Sequence, residues 1–291
     1  MKIAVGIATA GRREGLSDTI AYLRRQTRAA DSLYIAPAGD DDLDPACLID
    51  FPSPAHVVRG ARGLPAQRNT ILRALGDEDI IVFFDDDFLP EPSYLEELEG
   101  IYHRYPAVLV ATGCVVADGI KTKGIGYQEA IDIIERLPEL PEDDAWDVFS
   151  AYGCNMAARV SILRREGIEF DEKLPLYAWW EDVDFSRRLA AYGRIARCNH
   201  IRGVHQGTKK GRTPGKRLGY SQVANMLYLE RKGSIPGQMA WKQIFKNMSS
   251  NLALALWPEP WVDRRGRLVG NLMALGDAAM GRVDPGKILK L

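Results

Sequence analysis

Five apolar residues in a row, Ile80–Phe84, lead directly into three adjacent aspartates, Asp85–Asp87. A run this short and this uniformly apolar predicts a strand over Asp79–Phe84 that is buried on both faces, which is typical of a parallel sheet. Parallel strands need long crossover connections, and helices usually make them. This feature therefore predicts an α/β fold in which one buried strand ends in a cluster of carboxylates.

Strands and helices alternate through the N-terminal part of the chain. Further strands are predicted at Lys2–Ala8, Ser32–Ala36, Ala55–Arg59 and Val108–Val116, and helices at Arg12–Arg25, Pro65–Leu75 and Pro92–Tyr105. The alternation predicts a mostly parallel sheet with helices on both faces. Ligands of such sheets bind beyond the carboxyl ends of the strands.

The second half of the chain is less regular. We predict an acidic surface excursion at Gln128–Asp147, helices at Cys154–Arg165 and Trp180–Tyr192, and a helical region after Pro214. We expect one α/β domain over residues 1–213, in two parts (about 1–117 and about 118–213), and a helical extension over residues 214–291.

The Asp85–Asp87 cluster is the first candidate site. Adjacent carboxylates repel one another unless a cation neutralises them. Alternate residues of an extended segment point the same way, so Asp85 and Asp87 can share one Mg²⁺ or Mn²⁺ ion. The competing interpretation is a solvated acidic turn, but the flanking apolar residues favour burial. A second triplet, Asp40–Asp42, is predicted to be an exposed loop.

Charge and composition bear on the ligand and on the location of the protein. The formal net charge of −1 argues against a general nucleic-acid binder. Residues 185–229 nevertheless carry ten Lys or Arg and no acid, which suits either a diphosphate ligand or a solvated basic face. Four scattered cysteines, a short N-terminal apolar run and the lack of a long apolar stretch favour a cytoplasmic protein.

A second acidic motif follows two tryptophans. Glu181 and Asp182 come directly after Trp179 and Trp180, at the predicted start of a helix. Acids are favourable there, and burial beside aromatic rings makes a carboxylate a stronger base. The competing interpretation, a helix cap with core aromatics, is equally consistent with this motif alone.

Taken in order, these motifs resemble the family 2 glycosyltransferases of the GT-A fold. The resemblance covers roughly residues 2–207. It rests on the first strand and loop (Ile3–Arg12), the segment Gly63–Asn69, the cluster Phe84–Asp87, and an acceptor-side pair made of Gly153–Ala157 and Trp180–Phe185. The family implies a Rossmann-like catalytic domain, here residues 1–213, with a donor part (about 1–117) and an acceptor part (about 118–213). It also implies a nucleoside-diphosphate sugar as donor and inversion at the anomeric carbon.

The resemblance also implies roles for individual residues. Asp85 and Asp87 would hold the metal, with Asp86 beside them at the donor. Asp182 would be the general base, with Glu181 holding the acceptor. Thr9, Arg12 and Arg68 would contact the nucleotide, and the acceptor would meet Trp179, Trp180 and Asn155.

Two departures from the family pattern are informative. The second strand ends in Ala36–Asp40 instead of the family's Asp-Asp-Gly-Ser, so the contact to the base is in doubt and uridine is only the default. The Gln-x-x-Arg-Trp segment and the membrane spans of processive synthases are both missing, which favours a single transfer. Assembly of exopolysaccharide or of a lipid-linked oligosaccharide is the family-level expectation.

His205 lies between a predicted strand and a Gly/Lys loop. A neutral imidazole at this place can be a third metal ligand, although a lone histidine is more often structural. Lys209, Lys210 and Arg212 follow and can clamp the diphosphate. We expect this loop to be mobile until the donor binds, because its glycines allow it to open and close.

Alternative functions are a metal-dependent nucleotidyltransferase and a non-catalytic sugar-binding module.

In the C-terminal region, apolar residues recur at helical spacing: Trp241, Phe245, Met248, Leu252, Leu256, and then Leu268, Leu272, Leu275, Met280. We expect them to pack mainly on the catalytic domain or in an oligomer. Salt-sensitive contact with the inner face of an anionic membrane, where a lipid-linked acceptor would lie, is the other destination.

Overall fold

A computed structural model of the protein describes residues 1–140 and 145–291. Strands and helices alternate in its N-terminal part, as predicted. The elements are β1 (Ile3–Thr9), α1 (Arg13–Leu23), β2 (Ser32–Pro37), β3 (Ala55–Val57), α2 (Leu64–Ala74), β4 (Ile80–Asp85), β5 (Phe88–Pro90), α3 (Tyr94–Arg104) and β6 (Val108–Asp118).

Helices become more frequent after β6. The elements are α4 (Tyr127–Glu135), β7 (Ala145–Asp147), β8 (Asn155–Arg159), α5 (Val160–Glu166), α6 (Glu181–Leu189), β9 (Arg194–His205), α7 (Gly215–Lys232), α8 (Gly237–Ala253) and α9 (Arg264–Ala279).

One sheet runs through the molecule in the order β3-β2-β1-β4-β8-β6-β9-β5, and β7 also pairs with β9. The strands β3, β2, β1 and β4 are parallel to one another, as predicted. Beyond them the sheet is mixed, because β8 is antiparallel to both β4 and β6, and β5 and β7 are antiparallel to β9. The α/β class is confirmed, and its antiparallel part lies on the far side of β4.

The central strand β4 is buried on both faces. Its residues Ile80, Val82 and Phe84 pack with the apolar residues of α1 and α3. Ile81 and Phe83 point the other way and pack with α2, α5 and α6. This alternation is the period of two expected of an extended chain, and both layers of helices hold β4 in place.

Two local predictions were wrong. The segment Cys154–Arg165 is helical only in its second half, since Asn155–Arg159 forms β8. Ala157 and Ala158 favour helix in isolation, but here their backbone pairs with strands on both sides. The segment Gln128–Asp147 includes α4, which buries Ala130 and Ile134 beside Leu89; residues 141–144 lie outside the described part.

The C-terminal helices pack on the segment that leads into α6. Residues of α7 form one apolar cluster with Leu174, Ala178 and Val183, which precede or begin α6. Asn251 of α8 donates to Gln222 of α7 at 3.0 Å and to Asn271 of α9 at 2.9 Å, so a buried polar cluster joins the three helices.

The apolar residues from Trp241 to Leu256 were expected to pack on the domain or in an oligomer. Met248 does pack on the C-terminal cluster, but packing on the domain is wrong for the other four. Helix α8 buries Ala240, Ile244 and Asn251, whereas Trp241, Phe245, Leu252 and Leu256 are exposed. The exposed line is offset by one residue, about 100° around the helix, from the buried one. None of the helices within the described ranges is long and apolar enough to cross a bilayer.

Candidate active site

Parallel pairing of β1 and β4 brings the first loop to the carboxylate cluster. Ala8 lies beside Asp85 in the register. Thr9 Oγ1 donates to Asp86 Oδ2 at 2.7 Å, and Arg12 Nη1 lies 2.8 Å from Asp86 Oδ1 and 3.3 Å from Asp87 Oδ2. The Thr9 and Arg12 side chains are therefore engaged by the cluster itself, and Asp86 faces β1.

Asp85 and Asp87 share their side of the cluster with His205, the last residue of β9. Ligand atoms of these three side chains lie within 4.8 Å of one another. His205 Nε2 is 3.4 Å from Asp87 Oδ1 and 4.0 Å from Asp85 Oδ2. Asp87 Oδ1 is shielded from solvent and accepts no hydrogen bond within the described residues. Two carboxylates, an imidazole and one unsatisfied buried oxygen fit a divalent cation.

A second layer of side chains orients His205. Its Nδ1 lies 2.9 Å from Asp118 Oδ1, and Asp118 Oδ2 accepts a hydrogen bond from Tyr152 at 3.0 Å. Burial alone would lower the pKa of His205, but its contacts with Asp118 and Asp87 outweigh burial and raise the pKa to about 10. A carboxylate behind a histidine fixes the ring and strengthens it as a ligand, since a cation can replace the proton on the other nitrogen.

Arg68 connects the carboxylate cluster to α6. Its side chain is only 1% exposed and lies 2.5 Å from Glu181 Oε1 and 3.2 Å from Asp85 Oδ1. Arg68 Nη2 also donates to the Gly153 carbonyl at 2.7 Å. One buried guanidinium thus holds together two acidic motifs that are far apart in sequence.

Asp182 lies beside this connection and has different partners. Its Oδ2 accepts a hydrogen bond from the Gly153 amide at 2.9 Å and its Oδ1 one from the Val183 amide at 2.8 Å. Burial raises the pKa of Asp182. Burial also raises the pKa of Glu181, to about 8, against the opposing effect of Arg68. Both acids are stronger bases than ordinary surface carboxylates.

The backbone before α6 is unusual. Leu176, Ala178 and Trp180 all have positive φ, at 60°, 52° and 71°. Left-handed conformations cost energy for residues with a side chain and are kept where the surroundings impose them. Asn225 of α7 contributes by donating to the Trp179 carbonyl at 2.9 Å. Tertiary contacts therefore offset the conformational strain of the turn that leads to Trp180, Glu181 and Asp182.

The loop at residues 207–212 lies against the first loop. Arg12 Nε donates to the Lys210 carbonyl at 3.0 Å, and the Thr208 amide donates to Asp87 Oδ2 at 2.7 Å. Lys209 Nζ donates to the carbonyls of Gly119 and Ile120, and burial lowers its pKa to about 8. The exposed Lys210 side chain pairs with Glu14 at 2.7 Å. The loop thus contacts the carboxylate cluster through the Thr208 amide, and Lys210 is paired with Glu14 and not with the cluster. The expected mobility of the loop stays a prediction.

The comparison with known families decides the identity. The family described as Glycosyl transferase family 2 matches residues 4–167, more than half of the chain. The chain belongs to this family. It is a glycosyltransferase, and the resemblance inferred from the motifs is confirmed. No curated protein matches the sequence.

Three solved structures illustrate the fold of this family 2 glycosyltransferase. A mannosyltransferase from Pyrobaculum calidifontis, in complex with GDP-Man and Mn²⁺, is 16% identical, with a TM-score of 0.59 over 99% of this chain and 78% of that one. S. aureus TarS 1-349 in complex with UDP-GlcNAc is 14% identical, with a TM-score of 0.58 over 97% and 83%.

The third is glucosyl-3-phosphoglycerate synthase from Mycobacterium tuberculosis with Mn²⁺, UDP and glucosyl-3-phosphoglycerate. It is 17% identical, with a TM-score of 0.53 over 81% of both chains. The chain spans 40% of a longer TarS structure that it also matches. At these identities the likeness concerns the fold.

For three residues of this glycosyltransferase, the structure does not fit the ligand contact that the sequence predicted. Arg68 is too buried to meet a nucleotide and instead binds acids of the protein. Glu181 is buried against Arg68, so it supports the site and is not open to an acceptor. Asn155 is fully buried in β8, where its Oδ1 accepts from Thr112 Oγ1 at 2.7 Å, so no surface is left for an acceptor contact.

Sequence reasoning missed Asp118 and Tyr152. Asp118 ends β6 and is the register partner of His205, which ends the parallel strand β9. The rule that located Asp85, a polar residue at the carboxyl end of a parallel strand, applies equally to Asp118. Tyr152 carries no such signal, because it lies in the connection before β8.

Proposed function

We propose that this glycosyltransferase is an inverting, non-processive enzyme that moves one sugar from a nucleoside-diphosphate sugar to an acceptor hydroxyl. One observation carries the proposal. Arg68 contacts both Asp85 of the carboxylate cluster and Glu181, the neighbour of Asp182 in the second acidic motif. The structural neighbours in complex with UDP-GlcNAc, GDP-Man or UDP support a nucleotide-sugar donor. We take UDP as the default base.

Asp85, Asp87 and His205 would hold a divalent ion, Mg²⁺ or Mn²⁺. Such an ion, when bound, neutralises charge on the diphosphate leaving group. The neighbours solved with Mn²⁺ or Mg²⁺ support a divalent metal. Asp118 and Tyr152 would keep the His205 imidazole in place for this role.

Asp182 is the proposed general base. Its carboxylate takes the proton of the acceptor hydroxyl while that oxygen forms the new bond to the anomeric carbon. The bond from that carbon to the diphosphate oxygen breaks, and its electron pair leaves with the diphosphate. Attack opposite to the leaving group in one step inverts the anomeric centre.

The basic side chains around the cluster would stabilise the departing diphosphate. Arg12 lies at the cluster, and Lys209 and Arg212 lie on the loop that contacts it. Positive groups that are already in place cost little reorganisation when negative charge develops. The side chains of Trp179 and Trp180, at the start of α6, are the proposed acceptor contacts. Residues 1–213 and 214–291 remain our proposed division of the chain, and a cytoplasmic location stays a prediction.

A donor panel tests the function. We expect release of a nucleoside diphosphate from one nucleotide sugar with Mn²⁺ and a saccharide acceptor, and loss of that release in EDTA. Asp85→Asn and Asp87→Asn should each lower kcat by about 10²-fold or more, because the leaving group loses its counter-charge. Asp41→Asn, in the exposed second triplet, is the matched control and should leave activity unchanged.

Two results would count against the proposal. Full activity of Asp87→Asn in EDTA would remove the metal from the mechanism. Release of pyrophosphate from a nucleoside triphosphate, without sugar transfer, would indicate a nucleotidyltransferase instead.

A further inference from the structure

An apolar stripe, made of Trp241, Phe245 and Leu252 on α8 and of Leu256 just beyond its end, faces solvent. Phe245 is 75% exposed. The connection to α9, residues 254–263, is here called the α8–α9 turn, and it adds Trp257, which is 79% exposed, and Trp261. Contiguous apolar surface of this kind marks an interaction site more often than an isolated exposed side chain does.

The charges around the stripe are mainly positive. Residues 237–276 contain five Lys or Arg and two acids. Both acids are engaged locally: Glu259 lies 2.8 Å from Arg264 Nε, and Asp263 accepts a hydrogen bond from the Gly266 amide at 2.7 Å. Lys242 and Lys246 are exposed on α8, each next in sequence to an aromatic residue of the stripe. The partner that complements this surface is apolar and anionic.

The α8–α9 turn lies next to the end of the loop at residues 207–212. Asp263, at its end, packs so closely on Gly215 that a Cβ there would come within 2.3 Å of Asp263 Oδ2. Gly215 follows Arg212 by three residues. Burial, and then the nearby charges of Arg264 and Arg212, lower the pKa of Arg267 in the first turn of α9. The exposed tryptophans of the turn are therefore on a segment that contacts the border of the site.

We propose that the apolar stripe and the α8–α9 turn bind the surface of an anionic bilayer, where the enzyme meets an acceptor carried by a lipid. Tryptophan favours the interfacial zone, apolar side chains enter the headgroup region, and lysines bind anionic lipids. The lipid-linked acceptor rests on the proposed function, whereas the attachment to the membrane does not.

A second copy of the chain is a poorer match for the same surface. A two-fold interface uses one patch twice, so it would bring Lys242 and Lys246 close to their own copies. The patch has no free carboxylate to neutralise them, because Glu259 and Asp263 are already engaged. An anionic lipid surface supplies that neutralisation.

Vesicle flotation of the full chain tests the attachment. We expect it to float with equimolar phosphatidylcholine and phosphatidylglycerol, and not with phosphatidylcholine alone. The double variant Phe245→Glu/Trp257→Glu should lower the bound fraction at least about tenfold. The control Ile49→Glu/Val57→Glu changes two exposed apolar residues far from α8 in sequence and should float like the unchanged protein.

Lys242→Glu/Lys246→Glu tests the charge separately. Each lysine lost should weaken binding about fivefold, and added salt should weaken it further. Lys173→Glu/Arg231→Glu is the control of equal charge, and it should bind like the unchanged protein. Circular dichroism and thermal melting show that every variant is folded.

Three results would overturn the inference. They are no flotation of the unchanged protein, equal flotation with neutral vesicles, and a dimer in light scattering that Phe245→Glu/Trp257→Glu dissolves while flotation is unaffected. Nucleotide release with a soluble acceptor should be unchanged in the α8 variants. If that release is absent from the unchanged protein while flotation persists, the proposed function fails and the membrane surface stands.

Discussion

Asp182 and Glu181 are adjacent in sequence but have different partners. The Glu181 carboxylate is 2.5 Å from the buried Arg68 guanidinium, whereas both Asp182 oxygens accept backbone hydrogen bonds. The first acid supports a neighbouring side chain, and the second is held in place with no side-chain cation paired to it in the described structure. This difference supports Asp182 as the proposed general base.

Asp182→Asn keeps the size of the side chain but cannot take a proton. We expect kcat to fall by roughly 10²–10⁴-fold with little change in donor affinity. Glu181→Gln keeps a hydrogen-bond acceptor for Arg68, so kcat of this variant should fall by no more than about tenfold. Steady-state kinetics with donor titrations measure both. If Glu181→Gln proves the more damaging change, the two roles are reversed.

The raised pKa of Asp182 predicts the pH dependence of the reaction. A general base works only when ionised, so kcat/KM falls as the pH drops through its pKa. Burial moves that pKa above the ordinary value of 3.8. The acidic limb of the profile should therefore lie above pH 3.8, and the residual activity of Asp182→Asn should lack it. An unchanged limb in the variant would assign the titration to another group.

At the scale of elements, the loop at residues 207–212 depends on a close approach of two backbones. Gly211 has φ +69°, and a Cβ there would lie 2.5 Å from the Ala10 carbonyl oxygen. A side chain at this position would push the loop away from Arg12 and from the carboxylate cluster. The contact between the two loops therefore requires glycine.

Gly211→Ala should lower kcat/KM for the donor by roughly 10²-fold, because the cations of the loop are displaced from the diphosphate. Gly233→Ala is the matched control: Gly233 also has positive φ, at +83°, but open space around its Cβ position. It should cost about 1 kcal/mol of stability and leave the kinetics unchanged. Equal kinetics for both variants would show that the loop contact is dispensable.

At the scale of the whole molecule, Asp184 ties α6 to the C-terminal helices. It is fully buried and lies 2.8 Å from Lys232 Nζ and 3.1 Å from Arg188 Nε. Ser234, just after α7, donates to its other oxygen at 2.5 Å. This network joins the segment of the proposed base to the end of α7.

Asp184→Ala removes a buried acid from between Arg188 and Lys232, of which Lys232 keeps Asp171 as a partner, and should lower the free energy of unfolding by about 3 kcal/mol. Asp77→Ala, which removes an exposed partner of Lys2, should leave stability unchanged. Chemical denaturation measures both. Unaltered stability of Asp184→Ala would mean that α7 is held by its apolar contacts alone.

Much of the fold and part of the site follow from local patterns. The apolar run Ile80–Phe84 predicts β4, which ends at Asp85, so the carboxylate cluster begins where this buried strand stops. The acids after Trp180 predict the start of α6. Each of these features depends on residues within a few positions of one another, where backbone geometry and burial impose a fixed period.

The remaining features depend on contacts between distant parts of the chain, and the tertiary structure decided them. Arg68 and Glu181 are separated by 113 positions, and His205 and Asp118 by 87. The alanines of β8 adopt a strand because neighbouring strands pair with them, and the Trp241 stripe is exposed because Ala240, Ile244 and Asn251 occupy the contact with α7 and α9. A sequence pattern shows which face of a helix is apolar, but only packing determines which face is buried, because the fit of neighbouring elements decides between surfaces of similar hydrophobicity.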